Sequence, residues 1–412
     1  MILLVLLAIC SSAALLRPWL GVLALCFVGY AQPQAYANGF VRDIPFYLIV
    51  FIAVCLSLIK SRRFTLPVLD WRIGIVIILW LYFLLTTICS YAPELAWPKF
   101  FEVSKVFISL VFTLILINDR EKLLYLLVVI ALSFGILAVK GGYWAIISGF
   151  SDRVYGPPHS HFYGNNMFAV VTIMNIPLLL LWLRETNYRP LRYIIIAVII
   201  LSVASAISSW SRGGLITLGI TAVALLWYYK KRIMILIPII FVAGLTFSYV
   251  LPEQWFERMT TIINYEKDAS AMSRIDAWQM GLESFKENPL LGVGFDGWPL
   301  AADRDWHNSY IEILAEHGLV AFTLWSTLLV GSIISLTRLA GQPTVTSSQH
   351  WIKSYSSLIR ASLFAYATGS LFLGLSYWDI FYHLVIITTL LSRFTREEKN
   401  IMTPSEIPQH IV

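Results

Sequence analysis

Long apolar runs, broken by short polar ones, dominate the chain. Runs of 15 to 20 residues recur from the first residues to about residue 392, each close to the ~20 apolar residues a helix needs to cross a bilayer. They predict spans near 2–16, 18–31, 45–59, 73–90, 103–117, 122–139, 166–183, 192–208, 213–229, 233–251, 318–337, 358–376 and 379–392. The first two are short and separated only by Arg17-Pro18, so they read as a hairpin of half-depth helices or as one kinked crossing, and the total is 12 or 13. The pattern is that of an all-α, polytopic integral membrane protein. One long polar interruption breaks it, which divides the chain into an N-terminal transmembrane bundle (1–251), a large loop (252–317), C-terminal transmembrane helices (318–392) and a polar tail (393–412) whose composition predicts disorder.

Composition agrees with the pattern. The chain of 412 residues is 58% hydrophobic and only 13% charged, against about a quarter charged in a soluble domain. The charges are unevenly distributed. Loops 60–72, 118–122, 184–192, 230–232 and 338–360 and the tail hold eighteen lysines and arginines, whereas the alternate short loops hold six (Arg42, Lys99, Lys105, Lys140, Arg153 and Arg212). The first set is therefore expected in the cytoplasm, and the large loop on the opposite side, facing the periplasm or the cell exterior. The net charge of +6 follows from those loops and implies no nucleic-acid partner. Cys10, Cys26, Cys55 and Cys89 all fall in apolar spans and read as packing residues. The run Ile2–Leu16 lacks a basic leader and is followed at once by a second apolar run, so it is expected to be retained.

The large loop carries the candidate chemistry. Ser273-x-x-Asp276 resembles a helix-capping box. At helical spacing Arg274, Ile275, Trp278, Gly281, Leu282 and Phe285 share one face, and Asp276, Gln279, Glu283, Lys286 and Glu287 the other. Arg274 thus stands on an apolar face. It is either a snorkelling or locally paired arginine, or an anion site whose planar fork suits phosphate. Further on, His307 is expected to open a second helix on which Tyr310, Ile311 and Leu314 follow it, with Glu312 and Glu316 opposite and Gly318 as the stop. His307 is of the right type for a general base near neutral pH, although a lone histidine at a helix start is more often structural. His317 at the helix end reads as structural. Arg212, in SSWSRGGL between two spans, is either a topological anchor or an anion ligand at a helix start. The loop 152–166 offers Arg153, His159 and His161, an HxH pair without the company of ligands that a metal site requires, and Asp303-x-Asp305 is either the start of the His307 helix or an acidic pair of the kind that can hold a metal. No phosphate-binding glycine loop, dinucleotide fingerprint or serine elbow is present, and the spans lack the midplane charges of ion-coupled transporters.

Three segments resemble the O-antigen ligase and polymerase superfamily of bacterial membrane proteins. They are SRGGLITL (211–218), the Arg274…Trp278 helix, and GVGFDGW…HNSYIEILAEHGLVAF (292–322); Arg153-x-x-Gly156…Asn165-Asn166 is a weaker fourth. The first 180 residues look closest to an O-glycosylation ligase branch found beside exosortase systems. The resemblance implies a GT-C-like fold and an inverting, metal-independent transfer of a glycan from an undecaprenyl-diphosphate carrier to an acceptor hydroxyl, with no cofactor. The acceptor would be lipid A–core or a protein; in the polymerase alternative it would be a second carrier-linked glycan. A third alternative, from outside the enzymes, is a polysaccharide or lipid exporter. Carried over by position, Arg212 and Arg274 would hold the pyrophosphate and His307 would be the general base, with Arg153, Asn166, Tyr310 and Trp278 lining the substrate.

Overall fold

The computed structural model describes residues 1–61, 70–229, 249–261, 269–297, 306–342 and 350–401, with Gly244. Among them the regular structure is helical: α1 (Ile2–Leu16), α2 (Pro18–Ala31), α3 (Phe40–Asp43), α4 (Phe46–Ser61), α5 (Trp71–Ile88), α6 (Pro93–Leu116), α7 (Arg120–Ile147), α8 (Asn165–Glu185), α9 (Arg189–Ser208), α10 (Arg212–Tyr228), α11 (Glu253–Thr260), α12 (Ala269–Glu287), α13 (Ser309–Gly341), α14 (His350–Gly369) and α15 (Asp379–Ile401). Helices α5, α7, α8, α9 and α13 are long and apolar enough to cross a membrane; α1, α2, α4 and α10 are apolar but shorter. The predicted span at 233–251 lies almost wholly outside the described residues.

Local chemistry sets the helix starts. Asp70 caps α5 by accepting from the Arg72 amide, Asp119 caps α7 by accepting from Lys122, and Ser211 caps α10 by accepting from Gly214. The chain turns extended at Arg17, and α1 and α2 both lie along α4, itself only 16 residues long. Two collinear helices could not do that, so the first two runs form a hairpin. Helix α6 starts at Pro93, ten residues before its predicted apolar run, because a proline is preorganised for the first turn.

The core lies around α8, α14 and α15, whose residues are mostly buried. Helix α15 also corrects the tail. It continues to Ile401, so residues 393–401 are helical where disorder was expected. The cause is an anchor absent from composition: Asp70 accepts from Arg72 at 2.9 Å and from Arg396 at 2.9 Å, and both Asp70 and Arg72 are buried. Residues 402–412 lie outside the described set.

Candidate functional site

At the other end of the bundle from Asp70, two segments meet the turn between α14 and α15, and a third packs against one of the two. The first is the start of α10. Trp210 takes a left-handed backbone (φ 56°), Ser211 caps, and Arg212 begins the helix. The next residue has no room for a side chain: a Cβ at Gly213 would meet Phe372 at 2.8 Å. Arg212 donates to the Thr261 hydroxyl at 2.7 Å, and the Trp210 carbonyl accepts from Arg258 at 3.0 Å. Both partners belong to α11 and the residue after it, which dock through Trp255 and Met259 against Trp210.

The second segment contains His307. The expectation that His307 opens a helix is corrected: Asn308 is the cap, its side chain accepting from the amides of Tyr310 (2.9 Å) and Ile311 (3.3 Å), and α13 starts at Ser309. An asparagine oxygen reaches the first-turn amides directly, so the helix starts one residue after it. His307 instead occupies the left-handed region (φ 47°), between buried Trp306 and buried Asn308. For a residue with a Cβ that conformation costs about 1–2 kcal/mol and persists only where its surroundings impose it. They do so here: the Ser309 amide donates to the Ser370 carbonyl (2.8 Å), and the Ser309 hydroxyl to the Leu373 carbonyl (2.8 Å). The turn that holds Ser309 is therefore the turn whose Phe372 covers Gly213.

The third segment is α12. Its indole Trp278 donates to the Trp306 carbonyl at 2.9 Å, one peptide unit from His307. Gly281, one turn on, packs against Trp306 and Ile311. Arg274 lies one turn before Trp278 on the same side, which puts its backbone within roughly 18 Å of that of His307. The predicted face is rotated slightly: Ala277 is buried and Leu282 exposed.

The remaining sequence candidates are distributed around this end. The Arg153 guanidinium lies over the Trp210 ring, 5.7 Å from its centroid, and the Val154 amide donates to Ser208. Asn165 rather than Asn166 tethers this loop, donating to the Ser209 carbonyl at 2.8 Å; Asn166 is half-buried beside it. Tyr310 gives its hydroxyl to the Ala367 carbonyl (3.1 Å) and packs on Trp325. His159 and His161 go to different partners, Arg42 and Glu102. Asp303 and Asp305 lie outside the described residues.

Glu316 is the largest departure from the expected pattern. It was expected on the polar face opposite His307, yet it is buried. It accepts from the Tyr377 hydroxyl (2.5 Å), the Asp296 amide (3.2 Å) and the Trp306 indole (3.4 Å). The reason is that the far face of the first turns of α13, which break at Gly318 (φ 71°), is covered by the glycine-rich turn: the amides of Val293 and Gly294 donate to the carbonyls of Ala315 and Glu316. His317 is buried too, its Nδ1 2.6 Å from the Thr86 hydroxyl, between Phe83 and Phe295. Beside Glu316 opens a cavity of 420 Å³ lined by Lys99, Glu102, Lys105, Asp296, Glu312 and Asp379, together with the rings of Tyr377 and Trp378. Lys99 pairs with Glu102 at 3.2 Å.

The sequence reading missed Arg258, Glu316 and the 369–378 turn. Arg258 had a signal, since Trp255 and Met259 at i, i+4 mark a docking face beside it. The turn had none, because LFLGLSYW reads as the end of a span.

Residues 196–326, which contain Arg212, Arg274 and His307, match the family model described as O-antigen ligase, and residues 1–188 match a family of unknown function. The chain is 25% identical over 194 residues to an uncharacterised protein of Haemophilus influenzae, a match covering 40% of this chain and 48% of that protein. It is 31% identical over 83 residues to the exopolysaccharide production protein ExoQ of Rhizobium meliloti, covering 16% of this chain and 19% of ExoQ. The matches thus span about half or less of those relatives. Residues 196–326 are similar to the O-antigen ligase family, and with the ExoQ match they support the O-antigen ligase and polymerase superfamily for a chain that its apolar helices mark as an integral membrane protein.

Proposed function

We propose that the protein is a ligase-type glycosyltransferase that moves a glycan from an undecaprenyl-diphosphate carrier to an acceptor hydroxyl, of lipid A–core or a protein, on the periplasmic face of the inner membrane. In this reading His307 takes the proton of the acceptor hydroxyl, and the acceptor oxygen attacks the anomeric carbon. The bond from that carbon to the diphosphate oxygen breaks with inversion, and undecaprenyl diphosphate leaves. Arg212 and Arg274 offset the charge that builds on the diphosphate, the role a metal ion fills elsewhere. Arg153 and Arg258 both lie against Trp210, two residues before Arg212, and add to the positive field. The 420 Å³ cavity suits a saccharide, with carboxylates for its hydroxyls and the faces of Tyr377 and Trp378 for its C–H edges.

The observation that supports this most is the bond from Trp278 to the Trp306 carbonyl, with the shared anchorage of Gly213 and Ser309 on the 370–373 turn. Without these contacts the three cationic or titratable residues would belong to unrelated segments. The test is in vitro transfer from a defined lipid-linked glycan to lipid A–core, to a peptide, and to a second donor molecule. Transfer to either of the first two supports the ligase reading. Elongation of the donor alone replaces it with a polymerase, and no transfer to any acceptor refutes it.

A further inference from the structure

A cavity of 850 Å³ lies at the other end of the same helices. It is bounded by the last turns of α8, α10 and α13 and the first halves of α9 and α14. Arg212 and Tyr228 bracket α10, which separates this cavity from the site above by about 24 Å along the helix. Its polar lining includes Arg184, Arg192, His350, Lys353 and Arg360, and no acidic side chain occurs among the described lining residues.

Basic residues at this end are what the positive-inside bias supplies, and two of these have a local explanation. Arg192 donates to the carbonyls of Leu183 and Thr186 at the end of α8, and Arg184 donates to the Tyr228 hydroxyl. Arg360 is different. It stands ten residues into α14, about 15 Å from the helix start, and is only 5% exposed. Its neighbours are the Thr337 hydroxyl at 3.1 Å and the Trp227 ring at 4.5 Å, both uncharged, and no ion pair to it occurs among the described residues. Glu185, the acidic residue next to Arg184, is engaged by Arg120 at 2.9 Å. A topological anchor needs only a solvated charge near the membrane surface. A buried guanidinium without a carboxylate is costly unless an anion meets it.

We infer that this cavity is a second binding site, for a phosphate-bearing anion, with buried Arg360 as its cationic floor and exposed Lys353 at its rim. Two sources share that chemistry, the headgroup of an anionic phospholipid and free phosphate. Basic pockets between membrane helices are the setting in which anionic headgroups bind, and the planar fork of Arg360 suits phosphate oxygens. The inference does not depend on the transfer chemistry at the opposite end.

The test uses the full-length protein in nanodiscs of phosphatidylcholine alone, with added phosphatidylglycerol or cardiolipin, or with inorganic phosphate or pyrophosphate in the buffer. Bound lipid is read by native mass spectrometry and stability by thermal unfolding. For the parent, anionic lipid is expected to be retained and to raise the unfolding temperature; a rise with phosphate alone assigns the site to the free anion. Arg360→Met is expected to weaken retention at least about tenfold, the loss of one charge-assisted interaction. In phosphatidylcholine alone it should be no less stable than the parent, because it removes an uncompensated buried charge. Lys353→Gln should lower retention with little change in stability, and Lys60→Gln, an exposed cation at the same end, should change neither. No response to either anion overturns the inference. So does an Arg360→Met variant equally destabilised with and without anion, since its role would then be confined to Thr337 and Trp227. A Lys60→Gln effect equal to that of Arg360→Met overturns it as well, by reducing the site to surface charge.

Discussion

Replacing Trp278 with phenylalanine tests the link between the arginine-bearing helix and His307. The substitution keeps a ring in place but deletes the N–H that donates to the Trp306 carbonyl at 2.9 Å. A neutral hydrogen bond contributes about 0.5–1.5 kcal/mol net, and leaving a carbonyl without its donor in a half-buried place costs about 1–3 kcal/mol. His307 already sits in a left-handed conformation that its neighbours must impose (φ 47°). Loosening the peptide before it should therefore lower the population of the working geometry, by about tenfold for each 1.4 kcal/mol. The expected result is a fall in kcat of roughly 10- to 100-fold in the lipid-linked transfer assay, with KM for the acceptor within about threefold of the parent. The pH profile should keep its shape, because Trp278 does not titrate. In a double-mutant cycle Trp278→Phe and Arg274→Lys should be non-additive, since one bond aligns both partners. An unchanged kcat, or a loss confined to KM, would refute the claim that this indole positions His307.

Other substitutions separate the site from its scaffold. Asp70→Ala leaves buried Arg72 and its partner Arg396 without their carboxylate, and should cost about 3–5 kcal/mol in denaturant unfolding, with residual folded enzyme still active. Glu316→Ala strands the Tyr377 hydroxyl, the Asp296 amide and the Trp306 indole, and should both destabilise the fold by about 3 kcal/mol or more and slow transfer; Glu316→Gln, which keeps an acceptor oxygen, should recover part of each. Gly213→Val drives a side chain into Phe372 and should cost about 1–3 kcal/mol while displacing Arg212, so that transfer falls further than stability alone accounts for. Transfer should be unchanged by a chelator; sensitivity to it would bring Asp303 and Asp305 back as metal ligands.

Much of the helical framework is legible in the sequence because apolar runs longer than a dozen residues have few other uses. The helices at 2–16, 18–31, 166–183 and 213–229 were expected within two residues of where they lie. The site was legible only in part. Arg274 stands out as a charge on an apolar helical face, His307 as a histidine read onto the apolar side of the next helix, and Arg212 as a charge at a span boundary. A helical wheel misplaces Glu316, because it assumes water on the side away from the apolar face. Here that side is covered by the 292–297 turn and Tyr377, and the carboxylate becomes an internal acceptor. The 369–378 turn was invisible for the opposite reason. It works through backbone carbonyls and the Phe372 ring, and carbonyls have no signature in a sequence. Helix α15 ran past its expected end because Arg396 reaches Asp70, a pairing 326 positions apart that no local pattern encodes.

The central claim is that His307, Arg212 and Arg274 together transfer a glycan off a diphosphate carrier. Its most direct test is the release of undecaprenyl diphosphate by purified protein given a defined lipid-linked glycan and an acceptor, compared across the parent, His307→Ala and the paired Arg212→Ala/Arg274→Ala variant. The account predicts release coupled to acceptor glycosylation in the parent. His307→Ala should lower both by about 10²–10⁴-fold, and the arginine pair should abolish both while the protein stays folded. Parent-like release from His307→Ala, or from the arginine pair, would contradict it.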